Sequence, residues 1–490
     1  MKKILKKILI SILILASLCS CQKSTDTLVS SFPENTVSEY ESETESETET
    51  DSSVYEEVSS EEVVLAPESI ESPVSSVVES VAAPVTPVPS QPEPIISAPV
   101  RIPSTVASEG LKAIWLSQYD LNSIYTASGK QRGEKDFNAK IKIVLDNIKS
   151  NGFNTIFLQV RPNADSMYPS SIFPMSKYVV GKYGAKLYYD PVKIIITEAH
   201  ARGLDIHAWI NPLRAVSPAE LELISTDYKL RSWYDNPELN GKYIVLFDNK
   251  YYLNPAYSEV RQLIIDGAKE ILANYEFDGL HMDDYFYPTT DSTFDESAYA
   301  DYKANGGTLE LADFRRNALN ELVSALYSVT KQKNSGLLYG ISPTGHIDQV
   351  YGSQYADIYT WCSNNGYIDY ICPQVYFGFE HETCDFVKVC NTYQNIIKTD
   401  TVTLVIGMSL GKALMGMDYY AGTGMYEWRD NKNILSRAIQ YTKELEKCIG
   451  VSIFCYQYFY KPLPNTPIPE TAEEIANFVP TLKSMNWNKE

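Results

Sequence analysis

Downstream of Gly110 the chain repeats one pattern eight times: an apolar run of strand length, then a stretch with helical spacing. The runs are KAIWLSQY (112–119), TIFLQVR (155–161), DIHAWINP (205–212), DGLHMDDYF (278–286), LYGISPTG (338–345), YIDYICPQVY (367–376), TLVIGMSLG (403–411) and GVSIFCYQYF (450–459). Helix-like segments lie between them near 137–150, 190–202, 257–274, 311–333, 384–398 and 430–447, with a weaker one near 350–364 and a last one at 470–484. Strands joined by crossover helices run parallel, and near-continuous apolar runs fit strands covered on both faces. Eight such units predict an α/β fold, a (β/α)8 TIM barrel over 111–490.

In such a barrel the chemistry belongs at the C-terminal ends of the strands. The polar residues obey that rule. Gln159 and Arg161 close the second run, His207 and Asn211 fall late in the third, His281 and Asp283 close the fourth, and Gln374 and Tyr376 close the sixth. The loops at that end are long, about 28, 44 and 20 residues after the second, third and fourth runs, against a usual two to six. They carry many aromatics, among them Tyr168, Phe173, Tyr183, Trp233, Tyr251 and Tyr287. Flat amphipathic rings around a barrel mouth suit a ligand with apolar faces and many hydroxyls, which is a description of carbohydrate.

The first 110 residues do not continue the repeat. MKKILKKILISILILASLCSC has a lysine-rich start, an apolar run from Ile8 to Leu18 and small residues before Cys21. The run is shorter than the ~20 residues of a membrane span, so residues 1–20 read as a secretory signal of lipoprotein type, with lipid carried on Cys21. Residues 21–110 are rich in Ser, Glu, Thr, Val and Pro; from Gln22 to Gly110 eighteen acidic residues face two basic ones. With no apolar period they are expected to form a disordered tether. The tether carries most of the net charge of −20 at pH 7. The remainder lacks the basic face that a nucleic-acid partner would need. The expectation is an exported protein anchored by lipid to the outer face of the cell membrane.

Of eight cysteines, six fall in the barrel and none forms a CxxC pair. They read as small buried hydrophobes rather than as zinc or redox ligands. No cofactor or metal is called for.

NTIFLQVRPNADSMYPSSIFP, DPVKIIITEAHARGLDIHAWINPLR, YLNPAYSEVRQLI, FDGLHMDDYFYP, YGISPTG and LVIGMSLGK resemble, in order, the glycosyl hydrolase-like family ten of bacterial TIM-barrel proteins. The resemblance runs from about residue 111 to about 465, and DGLHMDDYFYP is its most specific element. It implies a (β/α)8 glycoside hydrolase, exported and often lipid-anchored, acting on bacterial cell-wall glycan. Where the family often has a tryptophan after the sixth strand, this chain has Phe377, followed by Glu380, His381 and Glu382.

Glycoside hydrolysis uses two carboxyl groups flanking the scissile bond. Along the fourth strand Gly279, His281 and Asp283 share the inward face, and Leu280 and Met282 the outward one. Asp283 is therefore the expected main carboxylate, as nucleophile or base. Asp284 reaches the cleft only where the strand has already turned into its loop. For the second carboxylate Asp165, Glu380, Glu382 and Asp120 are further candidates. Arg161 would hold a carboxylate ionised or bind substrate oxygens. His207 and His281, on adjacent strands, would bond sugar hydroxyls, with Asp165, Asn211, Gln374 and Tyr376 completing the substrate site. A metal-dependent hydrolase or deacetylase using His207, His281 and Asp283 is the competing enzyme reading, although the first strand offers no His-x-His pair. A non-catalytic wall-glycan-binding lipoprotein is the competing non-enzyme reading.

Overall fold

In a computed structural model, residues 99–461 and 465–488 are described; the signal sequence, Cys21 and the tether through residue 98 lie outside the described residues. Eight parallel strands close a barrel: β1 (Leu111–Leu116), β2 (Thr155–Arg161), β3 (Asp205–Ile210), β6 (Gly279–Met282), β7 (Leu338–Ile341), β8 (Tyr370–Ile371), β9 (Thr403–Ser409) and β10 (Cys448–Phe454). They follow one another around the barrel in chain order, and β1 meets β10 at the closing seam. The expected TIM barrel is present. Strands β4 (Ile244–Phe247) and β5 (Lys250–Leu253) form a separate antiparallel hairpin inside the long loop after β3. Asp248 and Asn249 turn it at positive φ, as a two-residue hairpin requires.

Helices follow every barrel strand, among them α1 (Glu134–Ser150), α2 (Pro191–His200), α3 (Ser258–Asn274), α4 (Leu311–Lys333), α5 (Ile358–Ser363), α6 (Phe386–Ile396), α7 (Ile434–Thr442) and α8 (Ala472–Ser484), with shorter ones in the loops. Their apolar stripes have helical spacing. In α1 the buried positions are Phe137, Ile141, Val144, Leu145 and Ile148, one face of a 3.6-residue period. Starts are set by caps: Asp190 accepts from the Lys193 amide ahead of Pro191 in α2, and Asp385 accepts from the Lys388 amide in α6.

The barrel interior is packed with rings. Trp115, Phe157, Trp209 and Tyr370 form an inner apolar cluster distinct from the strand–helix core. Such bulk fits because neighbouring strands present glycine: a Cβ on Gly279 would lie 2.8 Å from the His207 ring, and one on Gly340 would overlap the Tyr370 ring. The six barrel cysteines are free thiols, five of them buried.

The expected tether end at Gly110 moves upstream. Arg101 pairs with Asp205 at 3.4 Å and with Asp278, Ser104 donates to Asp205 at 2.7 Å, and the Ile102 amide donates to the His200 carbonyl at 2.9 Å. A short helix over Val106–Glu109 leads into β1, and Glu109 pairs with the buried Lys112 at 2.7 Å. Charges scattered through a Pro-rich stretch gave no periodic signal, and the partners of Arg101 lie a hundred or more residues away.

Candidate active site

Strand β6 ends at Met282, one residue before Asp283, and the chain bends at Asp284, whose carbonyl accepts from the Phe286 amide at 2.9 Å. The chain has therefore left the strand at Asp284, beside Asp283. Asp283 is buried, and its Oδ2 accepts from the Trp209 indole at 3.0 Å while its Oδ1 accepts from the Tyr285 amide at 3.3 Å. Burial, and then the charge of Asp284, hold the Asp283 carboxyl well above the ordinary carboxylate range, against the downward pull of Arg214, Trp209 and Tyr285. Asp284 is half-buried, and its charge is felt by the phenols of Tyr376 and Tyr393.

Around this pair the ends of β1, β2 and β3 form a buried polar network. Gln159 accepts from the Gln118 amide at 2.7 Å and donates to Asn211 Oδ1 at 3.0 Å; Arg161 Nη2 donates to the Asn211 carbonyl at 3.0 Å. Arg161 Nη1, Asn211 Nδ2 and both side-chain polar atoms of Gln118 have no hydrogen-bond partner among the described residues. A buried polar group of this kind calls for a partner outside the protein, ordered water or a ligand. Burial lowers the Arg161 guanidinium to about 10, opposed by Tyr168, Asp165 and Asp283. Arg214 lies 4.3 Å over the Tyr285 ring, donates to the Pro162 carbonyl at 3.3 Å and pulls down the carboxyls of both Asp283 and Asp165. Sequence reasoning passed over Gln118 and Arg214, although the first lies at the end of a run it had placed and the second just beyond one.

Gln374 bridges β7 and β9: its amide donates to the Pro343 carbonyl at 2.9 Å and its side chain to the Ser342 carbonyl at 3.3 Å. Tyr376, two residues on, stacks on Phe454 with ring centroids 5.9 Å apart.

The two histidines belong elsewhere. Both are buried, and the Tyr370 hydroxyl bridges His207 Nδ1 at 3.0 Å and His281 Nδ1 at 2.7 Å. His281 is stacked 4.1 Å from Phe157 and lies under Trp115 at 4.7 Å. Burial lowers His207 to about 4 and holds His281 well below the usual imidazole range, His207 adding to the second effect. They are neutral core groups one layer below the mouth, so the expected contact with sugar hydroxyls is corrected. The metal reading loses its ligands for the same reason, and among the described residues no group of three or more His, Cys, Asp or Glu is arranged to hold a metal ion.

The other carboxylates separate by environment. Asp165 spends both oxygens on its own loop, accepting from the Asn163 amide at 2.9 Å and the Tyr183 hydroxyl at 2.7 Å, which makes it a loop anchor rather than a substrate ligand. Asp120 accepts from the Ser117 amide at 2.7 Å and hydroxyl at 2.9 Å, and burial nevertheless pushes it up to about 7. Glu380 and Glu382 stand exposed on the loop after β8. Most loop aromatics pin loops: Tyr168, Phe173, Tyr183, Trp233, Tyr251 and Tyr287 are all buried, and Arg315, paired with Asp295 at 2.7 Å, lies over Tyr287.

Residues 110–418 match the family model described as glycosyl hydrolase-like 10. Glycosyl hydrolase YngK of Bacillus subtilis is 30% identical over 336 residues, 65% of this chain and 64% of that relative's length. Glycosyl hydrolase DigH of Escherichia coli K12 is 27% identical over 406 residues, 76% of this chain and 89% of the relative. Among solved structures, the glycoside hydrolase domain of PgaB (BpsB) from Bordetella bronchiseptica superposes with a TM-score of 0.47 at 14% identity, covering 76% of this chain and 98% of that domain.

Proposed function

Since this chain belongs to the glycosyl hydrolase-like 10 family, we propose that it hydrolyses glycosidic bonds in an extracellular polysaccharide, the glycan strands of the bacterial cell wall. The observation that carries the reading is the buried Asp283, oriented by Trp209 and adjacent to Asp284 at the C-terminal end of a barrel strand. In this account Asp283 is the proton donor. A carboxyl kept protonated by burial and by an adjacent charge is suited to give its proton to the leaving glycosidic oxygen. That reverses the nucleophile-or-base role expected from sequence. Asp284, at the bend, is the ionised partner that stabilises the positive charge developing on the sugar ring. Arg161 Nη1, Asn211 Nδ2 and the Gln118 side chain supply hydrogen bonds to sugar hydroxyls, and Arg214 limits how far the Asp283 carboxyl rises.

The wall substrate is supported by the lipoprotein-type start of the chain. A lipid on Cys21 would hold the protein at the outer face of the membrane, where wall glycan is at hand. Cys21→Ala should release the protein from the membrane fraction; equal retention of a signal-cleaved variant would remove the anchor. The substrate is tested by incubating the full chain with purified peptidoglycan, chitin and starch and measuring new reducing ends. The proposal expects release from peptidoglycan; release from starch alone would overturn it.

A further inference from the structure

Among the described residues five large aromatics are exposed, and two of them, Tyr188 and Tyr359, lie far apart in the sequence. Three fall within eight residues of one another on the loop after β9: Tyr419, 62% exposed, Tyr420, 51%, and Tyr426, 44%. Isolated exposed rings need no explanation, whereas a group on one loop does. That loop leaves the barrel at the same end as Asp283, because β9 ends at Ser409.

The loop is held rigid. The Asp418 amide donates to the Met425 carbonyl at 2.8 Å, the Ala421 amide to the Asp418 carbonyl at 3.1 Å and the Gly424 amide to the Ala421 carbonyl at 3.1 Å. The Asp418 carboxylate, buried, pairs with Lys412 at 3.0 Å and accepts from the Tyr420 amide at 3.3 Å. The loop also interlocks with the one after β8: the Glu382 amide donates to the Ala421 carbonyl at 3.1 Å, and the Glu382 carboxylate occupies the space a side chain at Gly422 would need. Neither Tyr419 nor Tyr420 makes a ring contact or joins the core among the described residues. Arg429 covers Tyr426 at 4.2 Å.

From this arrangement we propose that Tyr419 and Tyr420, flanked by Tyr426, form a stacking ledge for the sugar rings of a glycan strand that extends beyond the scissile bond. The inference rests on the carbohydrate reading of the Asp283 site and adds where a long substrate is held. Tyrosine presents an apolar face and a polar tip, which suits a saccharide ring with its axial hydrogens on one side and its hydroxyls at the edge. Rings fixed on a pre-bonded loop bind without a large ordering cost. The charge around the ledge selects the ligand class. Glu380 and Glu382 are exposed beside it, while Lys412 and Arg429 are paired with Asp418 and Asp430. Exposed carboxylates accept hydrogen bonds from hydroxyl and amide groups and disfavour densely charged anionic partners, so a hydroxyl-rich glycan fits and an anionic lipid or nucleic-acid surface does not.

The test uses the full chain carrying Asp283→Asn, so that substrate is held without turnover, and peptide-free peptidoglycan glycan strands fractionated by length. The double substitution Tyr419→Ala/Tyr420→Ala should raise Kd for long strands about tenfold, with a smaller rise for disaccharide units. Tyr359→Ala, at an exposed ring away from the ledge, should change Kd less than about twofold. An unchanged Kd for long strands in the double variant, or no binding of strands by the parent, overturns the ledge. Failure of the underlying site is read separately, as wild-type turnover by the Asp283→Asn chain; a ledge-dependent Kd with undiminished turnover would keep the ledge and discard Asp283.

Discussion

The indole nitrogen of Trp209 donates to Asp283 Oδ2 at 3.0 Å across the β3–β6 seam, where Trp209 lies in register with His281 rather than with the aspartate itself. The bond fixes the carboxyl and favours its ionised form, opposing burial. Trp209→Phe keeps the ring and removes the donor. The Asp283 carboxyl should then titrate at still higher pH. Because a proton donor works only while protonated, the alkaline limb of kcat/KM should move upward, and kcat should fall roughly tenfold as orientation is lost. An unmoved limb in the pH profile would show that Trp209 does not act on Asp283.

The Tyr370 hydroxyl has one proton and two imidazole neighbours, so one of His207 and His281 must donate to it and the other accept. Tyr370→Phe leaves two buried ring nitrogens unpaired and should cost about 2–4 kcal/mol in denaturant unfolding. Turnover at 25 °C should stay close to wild type. A large loss of turnover with unchanged stability would return the histidines to the active site.

This pair also marks what the sequence made legible. Alternation along the fourth run put Gly279, His281 and Asp283 on the inward face, and the structure agrees. Depth was not legible, because two residues along a strand are roughly 6–7 Å of height, and the stagger between strands decides which residue of an inward set reaches the mouth. Asp283 reaches it and His281 lies one layer below. The loop aromatics failed for a related reason: composition gives their number, while burial under Arg315 or within the loop after β2 depends on contacts distant in sequence. Gln118 and Arg214 were missed because a single polar residue at the end of a strand run or just past it carries no pattern of its own.

Burial raises Asp120 from 3.8 to about 7. Between those values the folded chain holds a proton that the unfolded chain releases, so the contribution is full at low pH and is lost as pH rises toward 7. Asp120→Asn cannot ionise. Its melting temperature should therefore gain on wild type between pH 5 and pH 8 and match it most closely near pH 4, a comparison made by thermal denaturation across buffers. Parallel curves would mean that Asp120 is ionised in the fold.

Asp283, as the proton donor of a glycoside hydrolase, is open to one direct substitution. Asp283→Asn keeps the size of the side chain and its capacity to accept from Trp209, so the fold should persist while proton donation is lost. The direct measurement is the rate of new reducing ends from purified peptidoglycan with matched wild-type and Asp283→Asn protein. The rate should fall about 10²–10⁴-fold with the melting temperature unchanged. Equal rates would contradict it, and so would a wild-type protein that binds the glycan and releases no reducing ends at any pH.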